Sequence, residues 1–248
     1  MASIRKIYTI FCLTFAACFI LLWMTGFSNS SNMLQQNQAP VVTLLKPQHR
    51  DFITPGSSLR YEISVADKED GNSKYDEINP KEVLLEVRMF TNKIKGADFA
   101  RQVTQADEPG LAVIRVSNCF SCHNFNSKAM GPSFDEIQRK YPSAKKNVDT
   151  LTKRILAGST GIWGKEKMPS HPELTPEQVK NTVKWILKNS NKLDVNYFIG
   201  LSGVIPGTYL TVPGTYVFTA SYIDHGFKGD ATKQRLKGED RVLVNTGL

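Results

Sequence analysis

Cys119-Phe120-Ser121-Cys122-His123 is the stretch that decides how the chain is read. Two cysteines three apart, with a histidine directly after the second, form the c-type haem attachment pattern. Each thiol can add across one haem vinyl group, and His123 then sits beneath the iron as its proximal ligand. A zinc half-site and a redox CxxC are the competing readings. Zinc needs further Cys or His ligands at suitable spacing, and the only other cysteines, Cys12 and Cys18, lie in an apolar N-terminal run. A thioredoxin-like CxxC sits at the end of a strand in an α/β pattern, and no such pattern surrounds this one.

Outward from the motif, residues 97–191 are helical in pattern. Leu111 to Asn118 leads directly into the first cysteine. Ser133-Phe134-Asp135-Glu136 is a capping box for a short helix that ends before Pro142. Asn147 is placed to cap the next helix, whose Leu151, Ile155 and Leu156 share a face, with Gly158 as its stop. Thr175-Pro176-Glu177-Gln178 combines a capping box with proline at the first helical position. The helix it opens sets Val179, Val183, Ile186 and Leu187 on one face.

The strings GLAVIRVSNCFSCHNFNSKAMGPSFDEIQRKYP and LTKRILAGSTGIWGKEKMPSHPELTPEQVKNTVKWILK cover nearly all of residues 110–190. They resemble the small monohaem class I cytochromes c of bacterial respiratory chains. The shared signposts are CxxCH, Met130-Gly131-Pro132, Gly161-Ile162-Trp163-Gly164, Met168-Pro169 and the Trp185 helix. The resemblance implies that Cys119 and Cys122 carry thioethers to one covalent haem c and that His123 is the proximal iron ligand. It implies that Pro132 offers its carbonyl to the His123 ring N–H, which fixes the tautomer, and that Met168 is the distal ligand through its thioether. Trp163 would hydrogen-bond a haem propionate, and Trp185 would pack where the terminal helices cross. The alternatives are His171 as distal ligand, Met168 as a core residue, and the two tryptophans as packing only.

His/Met ligation leaves no open position on the iron, so an electron carrier is expected rather than an enzyme. The expected protein is an extracytoplasmic, membrane-tethered c-type cytochrome moving single electrons. The alternative is a haem-bearing electron-entry or sensor subunit of a larger complex, with a β domain as its partner- or ligand-binding module. A haem enzyme such as a peroxidase would require a labile distal ligand.

Both flanks of the haem region are β in pattern. Val41 to Leu45 is a short strand, Leu59 to Val65 alternates with Leu59, Tyr61, Ile63 and Val65 on one face, and Val83 to Phe90 reads as a third. Three strands make no stable sandwich alone. After the haem region, Thr215 to Tyr222 alternates Tyr216, Phe218, Ala220 and Tyr222, and Arg241 to Asn245 reads as a last strand. The segments LRYEISVADKEDG and GTYVFTASYIDHG resemble paired strands of PKD or fibronectin-like Ig sandwiches, with Tyr216 where a tyrosine corner falls. The expected fold is therefore multidomain α plus β. An Ig-like β-sandwich, residues 40–96 and 197–248, is split around an all-α cytochrome domain, residues 97–191. Two separate small β units are the rival. Asp67, Glu69 and Asp70 lie in an acidic turn that could bind calcium or could simply be solvated.

Arg5 and Lys6 precede an uncharged run from Ile7 to Phe27, long enough to cross a bilayer as a helix. The basic flank favours an N-terminus inside, and a cleaved signal peptide is the alternative. Residues 1–27 are thus expected to be a transmembrane anchor or signal segment, and residues 28–39 a polar linker. Either reading places the remainder outside the cytoplasm, at a bacterial inner membrane and facing the periplasm. Of the formal charge of +8, residues 97–190 hold 14 basic against 9 acidic side chains. No basic run or recognised nucleic-acid motif accompanies that excess. Redox protein partners, acidic at their docking face, or an anionic surface fit it better.

Overall fold

The computed structural model describes residues 36–103, 105–189, 192, 194–227 and 234–247. The expected anchor and most of the expected linker lie outside the described residues. Among those described, no helix is long and apolar enough to cross a membrane. Residues 37–248 form one compact unit.

The first strands are β1 (Val41–Lys46), β2 (Phe52–Ile53), β3 (Leu59–Asp67), β4 (Gly71–Asn72) and β5 (Leu84–Phe90). Five helices follow: α1 (Lys93–Ala100), α2 (Pro109–Val116), α3 (Phe134–Lys140), α4 (Lys145–Ala157) and α5 (Pro176–Asn189). The chain then returns to strands β6 (Val195–Ile199), β7 (Ser202–Ile205), β8 (Gly214–Ile223) and β9 (Lys237–Thr246). One sheet runs β1-β3-β4, with β7 also pairing β3; the other runs β2-β9-β8-β5-β6. β5, from before the helices, lies between β6 and β8, from after them, and pairs antiparallel with both.

The two sheets face each other across one apolar core. Tyr61, Ile63 and Val65 of β3 meet Leu85 and Val87 of β5, Tyr216, Phe218, Ala220 and Tyr222 of β8, and Val242 and Val244 of β9. These residues fall at every second position because strand side chains alternate faces. The Tyr216 hydroxyl donates to the Val212 carbonyl at 3.0 Å, four residues upstream.

The other face of the larger sheet is buried too. β8 is buried at every residue except its two ends, Thr215, Thr219 and Ser221 included. One half of that face is apolar: Leu84, Val195 and Tyr197 pack with Leu111, Ile114, Phe125 and Trp185 of the helical region. The Tyr197 ring stacks on Phe125 at 4.9 Å and meets Trp185 edge-on at 5.5 Å.

The other half is an ionic seam. Arg115 of α2 pairs with Asp107 at 2.8 Å and donates to the Ser221 carbonyl at 3.0 Å. Asp107 also receives Lys237 at 2.8 Å, and Lys237 in turn reaches Glu239 at 2.9 Å. Arg241 pairs with Glu239 and donates to the Phe99 and Gln102 carbonyls, both at 2.9 Å. Burial pushes the Asp107 carboxyl up, but the Arg115 and Lys237 charges outweigh it and hold the group below its ordinary range. Asp107 therefore contributes stability that is complete above the ordinary carboxylate range and is lost as pH falls through its lowered pKa.

The Arg115 side chain is 2% exposed, so truncation leaves Asp107 desolvated beside a single cation. Arg115→Ala is expected to lower unfolding stability by about 3–5 kcal/mol, read as a fall in the urea midpoint. A change within a few tenths of that of a surface substitution would show that the seam is energetically idle.

Gly110 marks a second tight junction, where α2 crosses α5. A Cβ there would lie 2.4 Å from the Asn181 carbonyl oxygen and 2.4 Å from Trp185 Cβ. Both neighbours sit on or next to the helix backbone, so Gly110→Ala must spread the two helices. A loss of about 1–3 kcal/mol is expected in the same unfolding measurement, and an unchanged midpoint would refute the close crossing.

Two sequence expectations are corrected. Ala144, not Asn147, is the N-cap of α4, and the Asn147 amide donates back to the Pro142 carbonyl at 2.8 Å. The acidic turn shows no calcium site: among the described residues, no three acidic, His or Cys side chains converge to hold a metal ion. One Asp67 oxygen accepts the Glu69 and Asp70 amides, at 2.9 and 2.7 Å. Asp70 accepts the Tyr222 hydroxyl at 2.8 Å and the His225 amide at 2.9 Å. Asp67 Oδ1 thus shapes the turn and Asp70 ties it to β8, while the second Asp67 oxygen is buried without a hydrogen bond.

Candidate haem site

α2 ends at Val116, and the backbone turns at Asn118, whose φ of +59° is left-handed. A 3-10 turn, Cys119–Ser121, follows, and the His123 amide donates to the Cys119 carbonyl at 3.0 Å. This compact turn sets both thiols and the imidazole along one wall of a cavity. Burial pushes the free Cys119 thiol up to about 11.

His123 Nδ1 lies 2.7 Å from the Pro132 carbonyl oxygen. That contact requires the ring to carry its proton on Nδ1, leaving the Nε2 lone pair free for a metal. Burial pushes the His123 pKa down, more than the Pro132 carbonyl raises it, so the ring is neutral at pH 7. Its flat face stacks on Phe134 at 5.6 Å. Gly131 provides the room, since a Cβ there would lie 2.5 Å from His123 Cε1. The loop holding Gly131 and Pro132 is fixed on both sides. The Gly131 amide donates to the Cys122 carbonyl at 2.8 Å, and Ser133 and Glu136 cap α3 reciprocally.

Met168 reaches the same cavity from the far loop. It forms an isolated antiparallel bridge with Ser159, the two backbone bonds measuring 3.0 and 2.9 Å. That bridge ties the methionine loop to the end of α4, where Gly158 turns the chain at a φ of +81°. The cavity thus brings together Cys119, Cys122, His123, Pro132, Trp163 and Met168 within walls built largely by Ile114, Leu151, Ile155, Val179, Val183 and Ile186. His171 lines it as well, with Nδ1 2.8 Å from Glu173. Two thiols, a neutral imidazole and a thioether around an apolar cavity are the donor set and setting of a covalently attached haem.

Arg154 was not singled out from the sequence. It lines the cavity and donates to the Tyr141 hydroxyl at 2.7 Å. Its only signal is its place three residues after Leu151 on the inward face of α4. Lys140 lies 4.3 Å over the Trp163 ring and donates to the Ile162 carbonyl at 3.3 Å, which braces the tryptophan in the cavity wall.

This is the site of a protein that carries haem through its own cysteines, and similarity to known proteins agrees. The family model for cytochrome c matches residues 108–190. Cytochrome c-551 of Azotobacter vinelandii is 36% identical over 80 residues, 32% of this chain and 96% of that protein. Cytochrome c-552 of Hydrogenobacter thermophilus is 34% identical over 86 residues, 32% of this chain and 87% of that protein. The crystal structure of Nitrosomonas europaea cytochrome c552 shares 29% identity, covers 32% of this chain and 96% of that one, and has a TM-score of 0.31. The chain belongs to the cytochrome c family through residues 108–190, binds haem c covalently, and transfers electrons through it. The strands on either side lie outside these matches.

Proposed function

We propose that the protein is an extracytoplasmic, membrane-tethered carrier of single electrons with His123/Met168 haem ligation. The observation that carries this reading is the arrival of His123 and Met168 in one apolar cavity, His123 held by its ring nitrogen against the Pro132 carbonyl and Met168 by its backbone bridge to Ser159. Bound haem c supplies a ferrous/ferric one-electron couple. Cys119 and Cys122 hold it through thioethers. Pro132 keeps His123 in the tautomer that presents Nε2. Met168 would supply a neutral, soft sulfur as the second ligand, which would favour the ferrous state and leave no open position for substrate. Trp163 and Arg154, which line the same cavity, would hydrogen-bond the haem propionates. The apolar walls would exclude water around a bound haem and limit reorganisation on its change of charge.

The two β segments are read as one Ig-like sandwich into which the cytochrome domain is inserted. The pairing of β5 with β6 and β8 supports this, as does the Tyr216 hydroxyl bond to Val212. The N-terminal uncharged run is read as the anchor, which places the folded part on the periplasmic side of an inner membrane. A second reading, a haem-bearing subunit of a larger complex, is favoured by the amount of chain outside the cytochrome match. Co-purification of the native form with one fixed enzyme would select it.

The electron partner is acidic at its docking face. Lys165 and Lys167 are exposed on the loop carrying Met168, and Lys128 is exposed between the haem motif and Pro132. Charge at a transient interface acts mainly on association. Reversing Lys165 and Lys167 to Glu is expected to slow electron transfer to the native partner severalfold at low salt. The deficit should shrink as the Debye length falls to about 8 Å near physiological ionic strength. Stopped-flow rates across a salt series check this, and a rate indifferent to both salt and these charges would place docking elsewhere.

A further inference from the structure

Two helices that wall the haem cavity turn a different chemistry outward. α4 and α5 pack on each other through Val148, Val179, Val183 and Leu187. Apart from Arg154, which lines the cavity, their charged side chains are six lysines, Lys145, Lys146, Lys153, Lys180, Lys184 and Lys188, against two carboxylates, Asp149 and Glu177. All six lysines are exposed. At about 100° of rotation per residue, Lys180, Lys184 and Lys188 share one face of α5. That face lies roughly opposite Val179, Thr182 and Ile186, which line the haem cavity. Lys145 pairs with Asp149 at 2.7 Å, and the other five form no ion pair among the described residues. The Lys145 hydrogen bond holds the Asp149 carboxyl below its ordinary range, and the Lys180 and Lys153 charges add to it. Asp149 therefore sits among lysines of both helices, and the basic surface is continuous from one to the other.

Like charges four residues apart on a helix repel, so the Lys180–Lys184–Lys188 row opposes folding unless something anionic faces it. Two kinds of surface could do so, and the composition of the stripe separates them. Protein interfaces centre on aromatic, Met or Arg anchors and are depleted in lysine. Among the described residues, α4 and α5 expose no large apolar side chain. Lipid headgroups need no such anchor, because basic clusters are attracted to them by charge alone. We propose that the lysine stripe of α4 and α5 rests on the anionic phospholipid headgroups of the membrane. The inference rests on the membrane-tethered reading, which supplies the bilayer, and it adds which face of the folded part meets that bilayer. A membrane engaged there lies across α5 from the haem cavity. The lysines it uses differ from Lys165 and Lys167 on the Met168 loop, so membrane and electron partner draw on separate basic surfaces.

The test is lysine acetylation of the full-length haem-loaded protein, reconstituted into bilayers of phosphatidylcholine alone or mixed with phosphatidylglycerol, and read residue by residue by mass spectrometry. Lys153, Lys180, Lys184 and Lys188 should react at least about fivefold more slowly in the mixed bilayer, the gain expected for one lysine at an anionic surface. Lys165 and Lys167 should react alike in both bilayers. High salt should erase the difference, since the Debye length falls to about 3 Å at 1 M. In the variant Lys180→Gln/Lys184→Gln/Lys188→Gln, Lys153 should lose its protection while the visible spectrum matches the parent. Equal reactivity of the stripe in the two bilayers overturns the proposal. Protection that needs the native redox partner rather than phosphatidylglycerol also overturns it and makes the stripe a protein interface. Failure of the tether looks different, as recovery of the protein in water without detergent. The stripe is then tested by cosedimentation of that soluble form with the mixed vesicles. The triple variant should weaken this by roughly a hundredfold, and absence of cosedimentation overturns the stripe as well.

Discussion

Met168→Ala is expected to abolish the weak red charge-transfer band of the ferric sulfur–iron bond and to lower the reduction potential. The argument starts from the donor. A thioether is neutral and soft and stabilises ferrous iron more than ferric. Its replacement by water or by nitrogen shifts that balance toward ferric iron. The fall should be a substantial fraction of the roughly 0.8 V that axial ligands span across haem proteins. Loss of the sulfur also opens the distal position, so the ferrous variant should bind carbon monoxide where the parent does not. His171 lines the same cavity and is the nearest substitute ligand on the methionine loop. The double variant Met168→Ala/His171→Ala should therefore bind carbon monoxide faster than the single one if His171 fills the gap. Fold loss is not expected from the single change, because the Ser159 bridge is made by the backbone. An unchanged ferric spectrum would remove Met168 from the iron.

Truncation after Gly200 is expected to abolish the fold of residues 40–96 while the haem-binding helices survive. The deletion removes β7, β8 and β9. β8 is the centre of the larger sheet, pairing β5 on one side and β9 on the other, and its Tyr216, Phe218, Ala220 and Tyr222 fill the core opposite β3. The remaining strands are too few to bury a face. The α2–α5 crossing and the haem cavity are built by residues 110–190 and remain. Limited proteolysis should cut rapidly within residues 40–96 and leave a haem-stained fragment near the size of the helical region. That fragment should unfold at lower urea than the intact protein, since Arg115 loses Ser221 and Asp107 loses Lys237. Protease resistance of residues 40–96 in the truncated chain would show two independent β units instead.

The haem chemistry was legible because it is local. Two thiols and an imidazole within five residues need only one turn to become an attachment site. The same holds for the reciprocal caps at Ser133 and Thr175, whose partners lie three residues away. Strand alternation likewise identified the core face of β3 and β8. It could not say what the opposite face meets. Small polar side chains in alternation, such as Thr215, Thr219 and Ser221, suit water and a packed polar seam equally well. Asn147 was read as a cap from its residue type, but Ala144 starts the helix one turn earlier and Asn147 finds another carbonyl.

The sequence by itself therefore determined the attachment motif, the helix starts at Ser133 and Thr175 and the apolar faces of β3 and β8, all set by spacing along the chain or by contacts within a turn. Tertiary structure alone decided that Arg115, just ahead of the haem turn, bonds Ser221 across 106 residues of chain. It alone decided that Asp107 and Lys237 meet, and that Arg154 lines the haem cavity. Ion pairs carry no periodicity, and their partners are fixed only when two surfaces close and water leaves. Until then a buried arginine and a solvated one are the same letter.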